Sequence, residues 1–275
     1  MPVWRSVPPV LLALALLGCQ EVQSQNQITG RRQFVAMSAA EEVKVGREAA
    51  PEVIKQLGGL DPSPKAQAFV AEVGRKVAGR SAAAASGYPF EFRVLADPKT
   101  LNAMALPGGQ IFITRGLLDK LENEAQLAGV LGHEVGHVVA RHASQHLAKA
   151  QAANVGIALL AILTADKEKP DQPSTAAHVA ALGAQLLTLK YGREDELESD
   201  ALGVRFMAEA GYDPRAMEGV MGVLKRLGGQ RQLEWLSTHP DPGNREEKIR
   251  GHIAGRFPKG VPATATLGAK PLPLR

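Results

Sequence analysis

Two histidines and a glutamate stand close together in the stretch AGVLGHEVGHVVARH, residues 128 to 142. Positions four apart on an α-helix lie on one face about one turn apart, so His133 and His137 could direct two imidazole nitrogens at a single point. Glu134 would lie one position round the same helix. Two imidazoles with an adjacent carboxylate are the ligands and general base needed for hydrolysis at a zinc ion. The spacing therefore predicts a metal site.

The alternative is a solvated helix whose histidines pair with carboxylates. The neighbouring residues oppose it, because they are apolar or small: Leu127, Gly129, Val130, Leu131, Gly132, Val135, Gly136 and Val138. Polar groups buried without a partner cost about 2–7 kcal/mol, and a metal removes that cost by making them ligands. Glycine costs about 1 kcal/mol in a helix interior. The glycines therefore predict close packing against this helix.

His142 and His146 form a second pair with a spacing of four residues. At about 100° per residue, a continuous helix places His142 half a turn from His133, and His146 half a turn from His137. We therefore predict that both lie outside the metal site, either at the surface or in a second site.

A catalytic zinc normally has three protein ligands, so the third must come from elsewhere. An extended motif with a glycine three residues and a histidine six residues after the second histidine is excluded by Ala140 and Ala143. A carboxylate from a later helix is the expected ligand. The stretch YGREDELESDALGV, residues 191 to 204, offers two pairs four apart, Glu194 with Glu198 and Glu196 with Asp200. Spacing alone does not choose between these pairs, and an acidic solvated helix face explains most of these carboxylates equally well.

The elements that must position these residues follow from periodicity. The segment 88–97 alternates apolar and polar residues and predicts a half-buried strand, and 108–116 predicts a second strand. Helical patterns cover about 38–80, and the chain is mainly helical from about 117 to 237. The sequence therefore predicts an α+β fold, mainly helical, with a small β-sheet whose edge strand precedes the metal helix.

The first residues resemble an export signal. An apolar stretch over 7–17 follows Arg5 and is shorter than the roughly 20 residues of a membrane-spanning helix. It ends in LLGC, and Cys19 is the chain's only cysteine, which excludes a disulfide within one chain. This pattern resembles a bacterial lipoprotein signal; the alternative is an ordinary signal peptide with an incidental cysteine. The resemblance implies removal of residues 1–18, lipidation of Cys19 and, from Gln20, sorting to the outer membrane.

The remaining segments fix the expected domain boundaries. Residues 19–37 are polar and without periodicity, which predicts a flexible tether, and the resemblance to a lipoprotein signal implies that it is lipidated at Cys19. Residues 38–256 are predicted to form the single main domain. Residues 257–275 are rich in proline and small residues and are predicted to be disordered. Lysine and arginine number 32 against 28 aspartates and glutamates, but the excess is scattered. Nucleic acid is therefore not an expected partner.

Several motifs in order resemble one known family. HEVGH is preceded by NAMALPGGQIFITRGLL, residues 102 to 118, and followed by a helix with Glu and Asp four apart. This arrangement is similar to the gluzincin metallopeptidases of the HtpX and CAAX prenyl endopeptidase type, above all to periplasmic and outer-membrane lipoprotein members of the BepA and LoiP kind. The resemblance covers roughly residues 38 to 255.

The resemblance implies a role for each matching residue. His133, His137 and Glu196 would bind one Zn²⁺ per chain, Glu134 would be the catalytic base, and Asp200 would steady the site. It thereby chooses the second acidic pair. The segment THPDPGNR, residues 238 to 245, contributes two more candidates, His239 and Arg245. His239 would approach the zinc and restrain activity, or either residue would donate to the oxyanion. The alternative is a loop histidine and a surface salt bridge.

The second strand would bind substrate, because an edge strand offers main-chain donors and acceptors to an extended peptide. Gly108 and Gly109 would let the peptide backbone approach closely, and the resemblance adds Asn102 and Pro107 to this surface. The competing interpretation is that the glycines only form a tight turn.

The expected function is that of a zinc-dependent metalloendopeptidase. Its expected substrates are misfolded or stalled envelope proteins, in the bacterial periplasm at the outer membrane, to which a lipid would anchor the chain. The alternative is a chaperone-like outer-membrane assembly factor whose protease site is secondary or silenced by His239.

Overall fold

The computed structural model describes residues 22–35, 37–150, 175–227, 235–240 and 243–274. Cys19 and the predicted signal peptide lie outside these residues. The helices are α1 Ala39–Gln56, α2 Pro64–Gly79, α3 Arg115–Leu118, α4 Glu124–Val139, α5 Thr175–Leu187, α6 Arg193–Glu209, α7 Ala216–Leu227, α8 Trp235–Thr238 and α9 Arg245–Arg256. The strands are β1 Val22–Gln25, β2 Arg32–Val35, β3 Glu91–Leu95, β4 Ala103–Ala105 and β5 Gln110–Thr114.

The main sheet has the order β3-β5-β4, with β5 parallel to β3 and antiparallel to β4. The predicted α+β class is therefore confirmed. The prediction that the strand before the metal helix is an edge strand is wrong, because β5 pairs on both sides and is buried along its whole length. The edge strands are β3 and β4. The sequence did not reveal β4, because three residues containing two alanines carry almost no strand signal.

Helix α4 carries the HExxH residues through the centre of the domain. The Asn123 side chain caps its N-terminus by accepting a hydrogen bond from the Gln126 N–H, and every residue from Ala125 to Val139 is buried. A helix that is apolar on all sides must be covered on all sides. Helices α2, α6 and α7 and strand β4 provide that cover, so the site lies inside the core.

Small residues let α4 and α6 approach closely. A Cβ atom added at Gly203 would lie 3.0 Å from the backbone nitrogen of His133, and one at Gly136 would lie 3.1 Å from the Ser199 carbonyl oxygen. The predicted close packing at the glycines of α4 is therefore present. It brings the backbone of α6 against the helix that carries both histidines.

Residues 22–35 form a hairpin of β1 and β2, where the sequence predicted a flexible tether. The Asn26 amide donates to the Val139 carbonyl at 2.6 Å, and the Gln33 amide donates to the Ala140 carbonyl at 2.5 Å. The last carbonyls of a helix lack partners within it. These polar side chains therefore dock the hairpin on the C-terminal end of α4.

The segment after α9 also departs from its prediction, which was disorder. The Glu124 and Ala125 N–H groups donate to the carbonyls of Ala269 and Leu267, each at 3.0 Å. The segment has little regular secondary structure, but the free N–H groups at the start of α4 hold it in place. Among the residues that the structure describes, no helix is long and apolar enough to cross a membrane.

Candidate metal centre

Four side chains converge at the middle of α4. The Nε2 atoms of His133 and His137 are 3.0 Å apart, and the Glu196 carboxylate lies 3.4 Å from His137 Nε2 and 3.5 Å from His133 Nε2. His239 Nδ1 lies 2.9 Å from Glu196 Oε1. All four residues are buried, and one donor atom from each lies within 4.8 Å of the others. This arrangement combines residues from α4, α6 and the loop after α8.

The donor set fits a zinc ion. Ligand bonds of about 2.0–2.1 Å at tetrahedral angles separate neighbouring ligand atoms by about 3.3 Å, close to the separations of 3.0 to 3.5 Å found here. Imidazole nitrogen with carboxylate oxygen is a set that suits zinc. Glu134, Glu196 and Asp200 are buried together with Arg245. With neutral imidazoles, their formal charges leave an excess of two negative charges, which a divalent cation would cancel.

Glu134 lies beside this set without joining it. Neither carboxylate oxygen has a hydrogen-bond partner among the described residues, and the nearest cationic candidate, His239 Nε2, is 3.7 Å from Oε1. Burial raises the pKa of Glu134 above its ordinary value. The carboxyl group is therefore free to accept a proton and is a stronger base than an exposed glutamate.

Asp200 and Arg245 support the site from behind. Asp200 accepts two hydrogen bonds from Arg245, at 2.7 and 2.8 Å, and lies 3.0 Å from His133 Nδ1. Arg245 also lies 3.1 Å from Glu196. Burial opposes ionisation of Asp200, but Arg245 and His133 hold its pKa below the ordinary value. The guanidinium is engaged by both carboxylates, which favours a positioning role over a transition-state contact.

The neighbours also set the protonation of the converging groups. Although burial opposes ionisation of Glu196, His239 and His137 lower its pKa far below the usual range. Burial lowers the pKa of His137, which keeps its ring neutral as a metal ligand must be. Burial also disfavours charge on His239, but Glu196 and Glu134 raise its pKa overall.

His142 contradicts its prediction as a surface residue or a member of a separate site. It is 1% exposed, and its Nδ1 atom is 2.9 Å from His137 Nδ1. The helix is interrupted between the two residues, because α4 ends at Val139 and Arg141 has a left-handed φ of 58°. The rotation of 100° per residue does not continue through this break. His146 is partly exposed and bonds Asp195 at 2.8 Å.

Two aromatic residues beside the histidines were not found from the sequence. Tyr191 stacks on His137 with ring centroids 3.9 Å apart, and Trp235 stacks on His239 at 4.4 Å. Burial raises the pKa of Tyr191 well above its ordinary value. Neither residue stands at a motif position. The available signal was their scarcity, since the chain has 2 tryptophans and 3 tyrosines, and scarcity alone does not indicate a place.

The residues predicted to bind substrate lie at the other end of the site. Gly108 has φ +75°, and a Cβ atom there would meet the Val43 backbone of α1 at 2.3 Å. Gly109 has φ +103°, and its Cβ would lie 3.3 Å from Phe90. The glycines therefore serve a buried turn, as in the competing interpretation, because α1 occupies the space that a peptide would need. Pro107 begins this turn, and Asn102 is buried just before β4.

A mainly helical α+β domain in which a helix-borne HExxH pair meets a glutamate from a second helix is characteristic of the gluzincin class. A family model described as peptidase family M48 matches residues 64–253. The chain belongs to this family, and the predicted resemblance is confirmed.

The chain is similar to both mitochondrial and bacterial proteins. Over 163 residues the chain is 37% identical to the mitochondrial metalloendopeptidase OMA1 of Arabidopsis thaliana, and the matched region covers 59% of this chain and 31% of that protein. It is 31% identical over 226 residues to OMA1 of Schizosaccharomyces pombe, covering 81% and 64%. It is 25% identical over 217 residues to the beta-barrel assembly-enhancing protease of Escherichia coli, covering 76% and 44%. The chain thus spans less than two thirds of the length of these relatives.

Proposed function

We propose that this chain is a zinc-dependent endopeptidase with His133, His137 and Glu196 as zinc ligands and Glu134 as general base. The observation that carries the proposal is the convergence of the four buried donor atoms beside a glutamate whose carboxylate has no hydrogen-bond partner among the described residues. Membership of peptidase family M48 and relatives named metalloendopeptidase support the same reaction.

The chemistry divides between the metal and the protein. When bound, zinc lowers the pKa of water and polarises the scissile carbonyl group. Glu134 accepts the proton of the attacking water and delivers it to the leaving amine. Burial around Glu134 excludes competing solvent and raises its pKa, which strengthens it as a base. Asp200 fixes the His133 ring through Nδ1, so that Nε2 faces the metal.

The sequence predicted substrate binding by the strand that the structure shows as β5, and we assign it to β4 instead. The Leu106 N–H donates to the Gln110 carbonyl, and the Thr114 N–H donates to the Asn102 carbonyl. These bonds fix the alternation along β4 between residues whose backbone groups point toward β5 and residues whose backbone groups point away from it. That alternation directs the backbone groups of Ala103 and Ala105 away from β5. No strand of the described residues pairs with this side of β4, although both alanines are buried. We propose that an extended peptide adds to β4 on this side.

This edge runs past the metal centre. At one end, the Leu101 carbonyl accepts a hydrogen bond from the Trp235 N–H, beside His239. At the other end, Ala105 lines a small cavity together with His137 and Tyr191. A peptide paired with β4 would therefore pass His137 and Glu134.

An Ala105→Pro variant tests the edge, because proline removes an outward N–H and is tolerated on the open side of an edge strand. We expect casein cleavage to fall at least tenfold through a raised KM, with zinc content unchanged. Cleavage at the wild-type KM would refute the substrate role of β4.

The location and natural substrates belong to the same proposal. We place the protein at the outer membrane through a lipid on Cys19, acting on misfolded or stalled envelope proteins. The lipoprotein-like signal supports this location, as does the bacterial relative named for β-barrel assembly. The mitochondrial relatives give it no support. Labelled palmitate should enter the wild type and not Cys19→Ala; equal labelling of both would refute the anchor.

The deciding experiment pairs zinc content with casein cleavage for the full chain in mild detergent, beside Glu134→Gln. We expect one zinc in both proteins and cleavage by the wild type alone, because glutamine is nearly isosteric but cannot take the proton. Absence of zinc from the wild type would overturn the ligand assignment. Cleavage by Glu134→Gln at the wild-type rate would overturn the base.

His239 supplies a reason to test the assembly-factor alternative as well. It lies within the ligand set and could close the position that a substrate carbonyl needs. If zinc is bound and the wild type does not cleave, His239→Ala decides between the two functions. Cleavage by that variant supports a protease held shut by His239, and continued inactivity supports an assembly factor.

A further inference from the structure

We infer that His142 is a positioning residue for the ligand His137, and that Glu198 and Arg31 hold His142 in place. This inference rests on the proposed function, because it concerns a ligand of the same metal. His142 is buried, and its ring lies against His137 with centroids 5.0 Å apart. Its Nδ1 atom is 2.9 Å from His137 Nδ1, on the side of that ring opposite the other donors.

The direction of the hydrogen bond follows from metal binding. His137 Nε2 faces His133 and Glu196, so it is the atom that would bind the metal and cannot carry a proton. The proton of the neutral imidazole is then on His137 Nδ1. A buried N–H needs an acceptor, and His142 Nδ1 is the acceptor within hydrogen-bond distance. Hydrogen bonding at the second ring nitrogen fixes the tautomer and orientation of a histidine ligand.

The same reasoning determines the other side of His142. If Nδ1 accepts, Nε2 carries the proton of the neutral ring. Nε2 lies 3.3 Å from Glu198 Oε2 and 3.6 Å from Asp195 Oδ1, so it donates toward two carboxylates on α6. Ser199 Oγ is 3.4 Å from Nδ1, a weaker contact than the one with His137. The acidic face of α6 therefore selects the tautomer that His137 requires.

The arrangement continues into the N-terminal hairpin. Arg31, immediately before β2, lies 2.6 Å from Glu198 through Nη1 and 3.7 Å from Glu194 through Nη2. Glu198 thus connects an arginine of the hairpin to the histidine behind a metal ligand. The pair Glu194 and Glu198, which supplies no ligand, has a use in this arrangement.

The test compares full-length variants in mild detergent and uses zinc and cobalt as probes. His142→Leu keeps a similar volume and removes the acceptor. His142→Asn places its amide oxygen near the position of Nδ1 and keeps the acceptor. His146→Leu is the matched control, because His146 also pairs with Asp195 but its hydrogen bond is with that carboxylate and not with His137.

Zinc affinity is measured by chelator competition, and the ligand geometry is measured by the visible spectrum of the Co²⁺ form. We expect His142→Leu to bind zinc about 10–100-fold more weakly, the usual effect of losing such a support, and to change the cobalt spectrum. His142→Asn and His146→Leu should remain within about threefold of wild type with the wild-type spectrum. A purely structural role would lower thermal stability in His142→Leu without changing either metal readout.

Two outcomes overturn the inference: wild-type zinc affinity and spectrum in His142→Leu, or equal defects in His142→Asn and His142→Leu. If His142→Leu does not fold, His142→Gln replaces it, since its amide oxygen reaches the position of Nε2 and misses that of Nδ1. Equal zinc binding by the Asn and Gln variants then overturns the inference. Failure of the wild type itself to bind zinc refutes the proposed function instead.

The roles of Glu198 and Arg31 in holding His142 are tested separately. Glu198→Leu removes the acceptor for His142 Nε2, whereas Glu198→Gln retains an oxygen there. We expect the leucine variant to weaken zinc binding about tenfold and Arg31→Gln, at a half-exposed position, to weaken it no more than about threefold. Zinc affinity unchanged in Glu198→Leu would remove Glu198 and Arg31 from the arrangement and overturn that part of the inference.

Discussion

Three buried carboxylates near the metal centre have different neighbours and therefore different properties. Glu196 lies among imidazoles, which lower its pKa and keep it charged, as its proposed role as a ligand requires. Glu134 has no hydrogen-bond partner among the described residues, and burial raises its pKa. Asp200 is held by the Arg245 guanidinium and directs His133. Residue type alone does not separate a ligand from a base and a positioning group; the neighbouring atoms do.

We expect Asp200→Asn to weaken zinc binding about 10–100-fold, because His133 loses its charged partner. Breaking the buried pair with Arg245 should also lower the free energy of unfolding by about 3–5 kcal/mol. Chelator competition and urea unfolding measure the two effects. Glu247→Gln, at an exposed position of α9, is the control and should change neither. Zinc affinity at the wild-type level would show that Asp200 does not support His133.

At the scale of elements, the site depends on the contact between α4 and α6. The two histidines and Glu134 lie on α4, and Glu196 and Asp200 lie on α6. Glycines on both helices allow this contact. A small change in the helix separation therefore moves the ligands of one helix relative to those of the other.

The variant Gly203→Ala tests this dependence. Its Cβ atom would lie 3.0 Å from the backbone nitrogen of His133, so we expect a loss of about 1–3 kcal/mol in stability and weaker zinc binding. Gly222→Ala on α7 is the control, since its Cβ would meet only the flexible end of Arg226 at 3.6 Å. The control should be as stable as the wild type or up to about 1 kcal/mol more stable. Equal behaviour of both variants in urea unfolding would contradict the contact argument.

Glu209, the last residue of α6, should make the stability of the fold depend on pH. Burial opposes ionisation of Glu209, but the Ala82 N–H at 2.7 Å and two arginines, Arg205 and Arg256, lower its pKa overall. A carboxyl group with a lowered folded-state pKa stabilises the fold above its unfolded pKa, and this contribution disappears as pH falls through the folded value.

The stability difference between wild type and Glu209→Gln should therefore be largest near neutral pH. It should shrink as pH falls below 4.5, the ordinary pKa of a glutamate, toward the lowered pKa of the folded state. Urea unfolding at a series of pH values measures it. A difference that is independent of pH would contradict the assigned charge effect.

At the scale of the whole molecule, the two ends of the described chain cover the two ends of α4. The hairpin donates to the carbonyls of Val139 and Ala140, and the segment from 266 to 269 satisfies the N–H groups of Glu124 and Ala125. The Glu124 carboxylate completes this second contact by accepting from the Tyr212 hydroxyl at 2.6 Å and the Ala269 N–H at 2.9 Å. The helix that carries the histidines is thereby fixed at both ends.

We expect Gly268→Ala to detach the C-terminal contact. Its φ is +65°, and an added Cβ would lie 2.5 Å from the Glu124 carboxylate. Stability should fall by about 1–3 kcal/mol, with faster hydrogen exchange at the Glu124 and Ala125 amides. Gly255→Ala on α9, with open space around its Cβ, is the control and should not lose stability. Unchanged exchange in Gly268→Ala would show that this segment does not hold α4.

The sequence by itself determined what depends on local period and composition. The spacing of His133 and His137 fixes their common face on any α-helix, and the apolar surroundings require that this helix be buried. The glycines of α4 required a close neighbour, and the strand and helix patterns gave the α+β class. The choice of Glu196 from two acidic pairs came from family resemblance, because both pairs have the same spacing.

Only the tertiary structure decided which distant groups meet. His239 lies beside His133, His137 and Glu196 because of the path of the loop after α8, which carries no periodic signal. Arg141 has a left-handed φ and interrupts the helix between α4 and the helical residues that begin at His142. His142 therefore contacts His137, which a continuous helix would not allow. Strand β5 is central because β4 pairs with it. The place of His239 depends on segments far apart in the chain. The other two outcomes depend on a turn conformation and a short strand pairing, which no periodic pattern specifies.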